Sequence, residues 1–295
     1  MRFRSLFNKE KTDMETIACP FCGGDQWVAF RKGQNIVTCS SCGVTYLRYR
    51  PTQEAMYEIY QRYASDTSHM RLPATVEEAK QAGLRRKPLV DEITGLHHPA
   101  PRGRWLDVGC GWGALLDEVR DRGYTPGGIE LTRNCLDFAS LQLGIPVSNS
   151  QLLDARIDSH SHSVVSMVHV LEHLPYPRQA LARVHDILEE GGLFCGIVPN
   201  IESLCAQYQK DDWVWLDPVH HYVHYSPATL AQALQKAGFT IVKMYTAIGD
   251  YDYQAVIDCM VRNIPAATTP EAARALIPEW MEKGKGEEIR FFARK

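Results

Sequence analysis

Long hydrophobic runs are missing from this chain of 295 residues. Its longest nearly apolar run, Val164 to Leu171, is interrupted by His169 and is far shorter than the roughly 18 apolar residues of a membrane-spanning helix. The basic start of the chain, residues 1–11, has neither the apolar stretch nor the cleavage site of a secretory signal. We therefore expect a cytoplasmic protein without a membrane partner, in which residues 1–14 form a flexible tail.

A strong excess of charge is missing as well. The chain has 32 Lys and Arg residues against 35 Asp and Glu residues, which gives a formal net charge of −3. Surfaces that bind nucleic acid are basic, so this balance argues against a nucleic-acid partner. Hydrophobic residues make up 45% of the chain, which excludes a disordered protein and is enough for a sizeable core.

The cysteines do not fit a disulfide framework, because there are nine of them and several lie in apolar or Gly-rich contexts. Two Cys-x-x-Cys pairs, Cys19 with Cys22 and Cys39 with Cys42, are each followed by a glycine that lets the backbone turn. Sixteen residues separate the pairs, which is typical of a four-thiolate site for structural zinc. The sequence therefore predicts a small zinc ribbon over residues 15–50.

Residues 51–101 have the pattern of a helical connector. Met56, Tyr57, Tyr60 and Tyr63 recur there at helical spacing. Two interpretations remain open for this segment. It is either a lid over a substrate or a set of helices that packs the ribbon onto the next domain.

Strands and helices alternate from residue 102 to the end of the chain. Short apolar strands such as Trp105–Val108 and Leu193–Val198 are separated by amphipathic helices that end at glycines. This alternation predicts an α/β fold with a mostly parallel, Rossmann-like sheet and helices on both faces.

A glycine-rich turn follows the first of these strands. Gly109, Gly111 and Gly113 follow a G-x-G-x-G pattern, and Asp107 lies two residues before the first glycine. A pyrophosphate would be repelled by that carboxylate, whereas a ligand with an ammonium group would not, so a nicotinamide dehydrogenase is disfavoured. Glu130 ends the next strand, where an acid can accept both hydroxyls of a ribose.

These residues resemble the class I S-adenosylmethionine-dependent methyltransferases. Residues 104–113 are similar to their glycine motif, and Val164–Pro177 is similar to their fourth strand and the turn after it. Within that family, the early cysteines and the His-rich segment 216–227 resemble a subgroup with an N-terminal zinc ribbon. It includes nucleotide-sugar C-methyltransferases and relatives of the quinone O-methyltransferases.

The resemblance implies a seven-stranded sheet, S-adenosylmethionine as cofactor and a set of site residues. Asp107 would lie near the methionine ammonium group, the three glycines beneath the cofactor, and Glu130 at the ribose. Asp154 and Ala155 would lie near the adenine, and His169 would close the site near the sulfonium.

Methyl transfer to a hydroxyl or carbon acceptor needs a base, and histidine titrates in the right range. We expect His221 to be this base, with His224 and then His173 as alternatives. Quinone-type relatives carry an acid four residues before the position of Glu172 as part of a metal site, but this chain has Val168 there. We therefore expect metal only at the four cysteines.

Three functions remain open, in order of preference. The first is C- or O-methylation of a small molecule. The second is methylation of RNA or protein gripped by the ribbon. The third is a zinc-ribbon interaction protein with a non-catalytic methyltransferase fold. The oligomeric state is not readable from the sequence.

Overall fold

The computed structural model describes residues 13–31, 35–63, 72–97, 103–249 and 252–295. Almost all of the predicted tail, residues 1–14, lies outside these ranges. All nine cysteines lie within them, and none is in a disulfide. Among the described residues, no helix is both long and apolar enough to cross a bilayer.

The N-terminal part of the chain forms two small sheets. β1 (Met14–Thr16) pairs with β5 (Tyr49–Pro51). β2 (Trp27–Ala29), β3 (Ile36–Cys39) and β4 (Thr45–Leu47) form an antiparallel sheet that agrees with the predicted ribbon.

The four ribbon cysteines gather at one point. Gly23 and Gly43 both have φ of +74°, and their amides donate to the carbonyls of Cys19 and Cys39 at 2.9 Å, which closes each turn. The Sγ atoms of Cys19 and Cys42 are 3.5 Å apart, as are those of Cys22 and Cys39. A tetrahedral zinc ion with Zn–S bonds of about 2.3 Å would hold its sulfurs about 3.8 Å apart, so the cluster fits one.

Three helices lie between the small N-terminal sheets and the main sheet. They are α1 (Gln53–Tyr63), α2 (Val76–Gly83) and α3 (Lys87–Leu96). Thr75 caps α2 by accepting a hydrogen bond from the Glu78 amide at 3.1 Å. The side chains of Tyr60 and Tyr63 lie outside the description.

The main sheet has the predicted seven strands, in the order β12-β13-β10-β9-β6-β7-β8. Only β13 runs antiparallel to its neighbours. The strands are β6 (Arg104–Val108), β7 (Thr125–Ile129), β8 (Val147–Ser148), β9 (His162–Val168), β10 (Leu188–Pro199), β12 (Thr240–Ala247) and β13 (Glu288–Arg294). The remaining helices are α4 (Ala114–Arg120), α5 (Arg133–Asp137), α6 (Pro177–Ile187), α7 (Leu204–Gln209), α8 (Pro227–Lys236), α9 (Tyr253–Asn263) and α10 (Pro270–Glu282).

Both faces of this sheet are covered by apolar side chains. Val164 and Val165 are neighbours on β9 and are fully buried, yet they join different hydrophobic clusters, because successive strand residues point to opposite faces. The cluster that holds Val165 also contains Ile36 and Leu47 of the ribbon. The ribbon therefore shares a core with the main domain.

A short strand that the sequence analysis did not anticipate joins the two parts. β11 (Val223–His224) pairs antiparallel with β4 and becomes the fourth strand of the ribbon sheet. The Leu47 amide also donates to the Tyr222 carbonyl at 2.9 Å. The His-rich segment is thus attached to the ribbon as well as to the main sheet.

This attachment predicts that damage to the cysteine cluster spreads to the His-rich segment. Cys39→Ser should release the zinc ion expected there and speed amide hydrogen exchange in residues 15–50 and 222–225. The strands β6, β9 and β10 should keep their protection, because they pair with one another in the main sheet and one of their faces packs on a hydrophobic cluster without ribbon residues. Elemental analysis and hydrogen exchange by mass spectrometry would check both effects.

The matched control is Cys259→Ser, which should retain the ion. Cys259 is buried and lies far from the cluster in the sequence. Unchanged exchange in residues 222–225 of metal-free Cys39→Ser would contradict the coupling.

Candidate active site

A cavity of about 620 Å³ opens at the carboxyl ends of β6, β7 and β9. Ligands of open α/β sheets bind at this edge, where the strands end and the loops begin. Its lining includes Gly109 and Gly111 of the glycine-rich turn at residues 109–113 (the glycine loop), but not Gly113. Glu130, the turn after β9 and part of the His-rich segment line it too. Gln53, Met56 and Tyr57 of α1 line it as well.

The glycine loop needs glycine for two physical reasons. Gly109, Gly111 and Gly113 have φ of +69°, +55° and +93°, a region that residues with a Cβ rarely adopt. A Cβ on Gly109 would also lie 2.5 Å from Cγ2 of Val170. The loop therefore packs tightly against the turn after β9.

Glu130 holds the same loop from the next strand. Its Oε2 accepts a hydrogen bond from the Gly111 amide at 2.8 Å, and its Oε1 accepts one from the Thr132 amide at 2.6 Å. A carboxylate has about four acceptor positions, so these two bonds leave capacity for two ligand hydroxyls.

Asp107 is a buried carboxylate beneath the glycine loop. Its Oδ1 accepts from Ser166 Oγ at 2.6 Å, and Ser166 in turn accepts from the Trp105 indole at 2.8 Å. Burial raises the pKa of Asp107 to about 7, with Glu130 adding to the rise and Ser166 and Arg86 opposing it. A cationic ligand beside this carboxylate would be favoured, because it would replace the missing solvation of the charge.

The predicted adenine residues lie differently from expectation. Asp154 is exposed and Ala155 is buried, and neither lines the cavity. The amides of both residues donate to the Gln151 carbonyl, which forms a turn that carries Asp154 into solvent. The wall at this place is formed instead by the preceding residues, 150–153.

His169 and His173 also line the cavity. They follow β9, whereas Glu130 follows β7, and β6 lies between these two strands in the sheet. His169 has a φ of +55° and stacks on Trp215 with ring centroids 5.5 Å apart. His173 Nδ1 is 3.0 Å from the His220 carbonyl. Burial, with the charge of His221, lowers the pKa of His173 to about 4.

His221 and His224 are not among the residues that line the cavity. The Nδ1 atom of His221 is bonded to the Trp215 carbonyl at 2.9 Å, and its ring meets the edge of His173 at 4.6 Å. His224 lies in β11, and burial lowers its pKa to about 3. The base assigned from the sequence thus lies behind the cavity wall, while its role stays a prediction.

His220 lines the cavity together with Asp217, a pair absent from our predicted site. His220 Nδ1 is 2.7 Å from Asp217 Oδ2, while Asp217 Oδ1 accepts from the amides of Val219 and His220. Burial would raise the pKa of Asp217, but its bond to His220 holds it well below its ordinary value. The i,i+3 spacing of the two residues is the signal that would have pointed to them.

Arg86 also lines the cavity and was missed. It follows α2, in a basic stretch that resembles an ordinary solvated surface. No local sequence pattern distinguishes Arg86 from Arg85, which does not line the cavity. The difference depends on how α2 and α3 pack on the main domain.

The sequence profile of the family described as "Methyltransferase domain" matches residues 79–244. The chain belongs to this methyltransferase family. A protein named "Ubiquinone biosynthesis O-methyltransferase" from Burkholderia pseudomallei is 29% identical over 161 residues, which span 50% of this chain and 69% of that protein. Its namesake from Thiobacillus denitrificans is 32% identical over 146 residues, 45% of this chain and 62% of the relative.

Solved structures agree with the fold of this methyltransferase. A SAM-dependent methyltransferase from Archaeoglobus fulgidus superimposes with a TM-score of 0.52 at 20% identity, covering 79% of this chain and 99% of the other. The [4+2]-cyclase SpnF superimposes with a TM-score of 0.56 at 16% identity, covering 83% and 97%. At such identities the likeness shows the fold alone. The family match and the curated relatives together make the chain a class I S-adenosylmethionine-dependent methyltransferase.

The raised pKa of Asp107 predicts a pH-dependent stability of the cofactor-free methyltransferase. The folded protein binds this proton more tightly than the unfolded chain between the ordinary pKa of 3.8 and about 7. The contribution of Asp107 to stability should therefore fall as pH rises through this window and level off above it. Relative to Asp107→Asn, the wild-type free energy of unfolding should drop by about 2–3 kcal/mol between pH 5 and pH 7.

Denaturant unfolding at several pH values would measure this difference. The exposed Asp154→Asn variant is the control. Because it keeps Asp107, its stability curve should run parallel to that of the wild type. Parallel stability curves for the wild type and Asp107→Asn would contradict the raised pKa.

Proposed function

We propose that this methyltransferase transfers the methyl group of S-adenosylmethionine to a small, largely apolar acceptor, at oxygen or carbon. The observation that carries the proposal is the joint lining of one cavity. Asp107, the glycine loop and Glu130 contribute to the same cavity as His173 and the Asp217–His220 pair. A cofactor-binding half and a proton-accepting half therefore meet in one space.

The residues present fit S-adenosylmethionine. Glu130 has acceptor capacity for the two ribose hydroxyls, and the glycine loop leaves room where a Cβ would intrude. The walls at residues 150–153 would hold the adenine. When bound, the cofactor supplies a methyl group made electrophilic by its sulfonium.

The methionine end would be recognised by two opposite charges. Asp107 favours the ammonium group, because a positive charge beside this buried carboxylate replaces the solvation that it lacks. Arg86 lines the cavity and lowers the pKa of Asp107, so its positive charge is close enough to act there. We assign it to the methionine carboxylate.

The acceptor side favours a neutral, apolar molecule. Met56, Tyr57, Leu174 and Tyr222 contribute apolar surface to the lining. Arg86 is the only Lys or Arg among the described lining residues, which leaves no basic group for a phosphate once it binds the cofactor. This argues against RNA or a nucleotide sugar, and the curated relatives, named as ubiquinone biosynthesis O-methyltransferases, also favour a small molecule.

The Asp217–His220 pair is our first candidate for the base. A carboxylate at Nδ1 holds the proton there, so that Nε2 is the basic nitrogen of a neutral ring. His173 shares the cavity, but burial disfavours its protonated form. His221 and His224 would need a rearrangement of the loop to reach an acceptor.

We further propose that residues 15–50 form a ribbon that holds one structural zinc through Cys19, Cys22, Cys39 and Cys42. Residues 51–101 serve as its connector and lid, and residues 102–295 form the methyltransferase domain. The pairing of β11 with β4 supports a role of the ribbon in holding the acceptor side of the cavity.

Removal of the Glu130 carboxylate tests the cofactor site. Glu130→Ala should weaken S-adenosylmethionine binding at least about tenfold, because two charge-assisted hydrogen bonds to the ribose are lost and water replaces them only in part. Isothermal calorimetry would measure the affinity. Asp154→Ala, at an exposed acid outside the cavity, should bind as the wild type does.

Equal affinity in Glu130→Ala would remove Glu130 from the site. Wild-type protein that binds NADH and not S-adenosylmethionine would overturn the function. Binding of neither would favour a non-catalytic interaction protein.

Replacement of the base tests the catalytic half. His220→Asn should lower turnover about 10²- to 10⁴-fold, the usual contribution of a general base, with little change in cofactor affinity. Turnover is measured as label passed from methyl-labelled cofactor to the small-molecule fraction of a cell extract. His221→Asn is the matched neighbour and should lose less. The reverse order of the two variants would restore His221 as the base.

A further inference from the structure

Arg50 is a buried arginine of the ribbon that the proposed reaction does not use. It lies in β5, and its side chain is only 2% exposed. The guanidinium group is always charged in proteins, so its burial is costly unless its N–H donors are paired. The contacts that offset this cost show which parts of the chain Arg50 holds together.

The guanidinium of Arg50 bonds to two separate parts of the chain. Its Nε donates to Oε1 of Glu15, which lies opposite it on the paired strand β1, at 2.9 Å. Its Nη1 donates to the Pro175 carbonyl, also at 2.9 Å. Pro175 belongs to the turn after β9 and lies 125 positions further along the chain. Arg50 therefore links the ribbon to the main domain by a direct side-chain bond.

Two tyrosine rings complete the surroundings of Arg50. Its Cζ atom lies 4.8 Å from the ring centroid of Tyr222 and 5.7 Å from that of Tyr176, within the range of cation–π attraction. Tyr222 is fully buried, and its hydroxyl donates to the Pro51 carbonyl at 3.2 Å. The ring and the hydroxyl of Tyr222 are thus both held by residues of β5.

The main-domain partners of Arg50 share one property. Pro175, Tyr176 and Tyr222 all line the cavity, whereas Arg50 is not among the lining residues. Pro175 and Tyr176 come from the turn after β9, and Tyr222 comes from the His-rich segment. One guanidinium behind the wall therefore contacts both of the segments that form it.

We propose that Arg50 is a positioning residue for the methyl acceptor, which holds Tyr222 and the turn after β9 in the arrangement that binds the acceptor. This inference rests on the proposed function, because that function assigns the acceptor to this side of the cavity. Arginine suits the task, since its planar fork can donate to two acceptors and its face can stack on aromatic rings. Lysine would keep the charge but would offer neither the fork nor the face.

The expected effect follows from how often the wall adopts this arrangement. A hydrogen bond from a charged donor changes an equilibrium by about tenfold or more. Without Arg50, the wall would therefore adopt the competent arrangement less often, and the apparent affinity for the acceptor would fall by the same factor. Acceptor that does bind in this arrangement would still react. Loss of Arg50 should thus raise the KM for the acceptor more than it lowers kcat.

Acceptor saturation tests the positioning role. The full-length protein receives saturating methyl-labelled S-adenosylmethionine, and label in small molecules is measured at increasing concentrations of a cell extract. Arg50→Met should raise the half-saturating extract concentration at least about tenfold and change the maximal rate less than about threefold. Arg50→Lys should show a smaller rise in the same direction, and it carries the test if Arg50→Met does not fold. Both variants should bind S-adenosylmethionine in calorimetry as the wild type does.

Arg48→Met is the matched control, at a second arginine of the ribbon. The Arg48 guanidinium lies over the ring of Trp27, 5.0 Å from its centroid, and Trp27 is exposed. Arg48 is not among the lining residues of the cavity. This variant should saturate at the same extract concentration as the wild type.

A double-mutant cycle tests whether Arg50 acts through Tyr222. Tyr222→Leu alone should also raise the half-saturating extract concentration, because the wall loses the ring. Arg50→Met should then raise it by a smaller factor in the Tyr222→Leu background than in the wild type, because part of its effect has already been lost. Equal factors in the two backgrounds would overturn action through Tyr222.

Hydrogen exchange gives a readout that needs no acceptor. Arg50→Lys should speed amide exchange in residues 171–176 and 220–222, while β6 and β10 stay protected. Wild-type exchange rates in both segments would overturn the inference, and so would a loss of cofactor affinity as large as the rise in the half-saturating concentration. A wild type that labels no small molecule would instead overturn the proposed function, and with it the acceptor role of Arg50.

Discussion

The pairing of β11 with β4 is the interaction on which the candidate active site depends. Two residues, Val223 and His224, add a strand to the ribbon sheet and so fix the segment that contains His220 and His221. At the other end of the segment, Asp217 accepts hydrogen bonds from the amides of Val219 and His220 and so fixes the local turn. Without the ribbon, this segment would lose its strand pairing and keep only separate contacts with the main domain, such as the one between His173 and the His220 carbonyl. The ribbon is therefore part of the site's architecture rather than an appended module.

Four carboxylates lie in or beside this cavity, and each is accommodated in a different way. Glu130 accepts backbone amides, and Asp217 accepts backbone amides and the His220 ring. Asp107 keeps one hydroxyl partner and a pKa raised to about 7, which suits a site that awaits a cationic ligand. Glu172 has no hydrogen-bond partner among the described residues, and its Oε1 lies 3.6 Å from His169 Nδ1 and 4.0 Å from His173 Nε2. A carboxylate in a low-dielectric region needs a hydrogen-bond donor or a positive charge beside it. The kind of partner that it has therefore indicates its role.

The sequence was sufficient where the chemistry is local. The glycine turn requires positive φ and the paired cysteines carry their own spacing, so the sheet and the cysteine cluster were predicted. Asp107, Gly109, Gly111 and Glu130 line one cavity, and their role in cofactor binding stays a prediction. Neighbouring residues in a loop cannot be told apart in this way. His220 faces the cavity and His221 lies behind it, because contacts with Asp217 and Trp215 of the same irregular segment orient the two rings. No strand or helix periodicity there predicts which ring faces inward. Arg86 and β11 likewise depend on distant packing, and Asp154 is carried outward by a turn that its sequence does not specify.

The central claim is that one cavity joins the methyl donor to a small acceptor. The most direct measurement is incubation of the purified protein with methyl-labelled S-adenosylmethionine and a fractionated cell extract, followed by identification of the labelled product. The account predicts label in a small, largely apolar molecule, and transfer at least about fivefold slower with Glu130→Ala at the cofactor concentration that half-saturates the wild type. Label that appears in RNA or protein, or transfer that does not depend on Glu130, would contradict it.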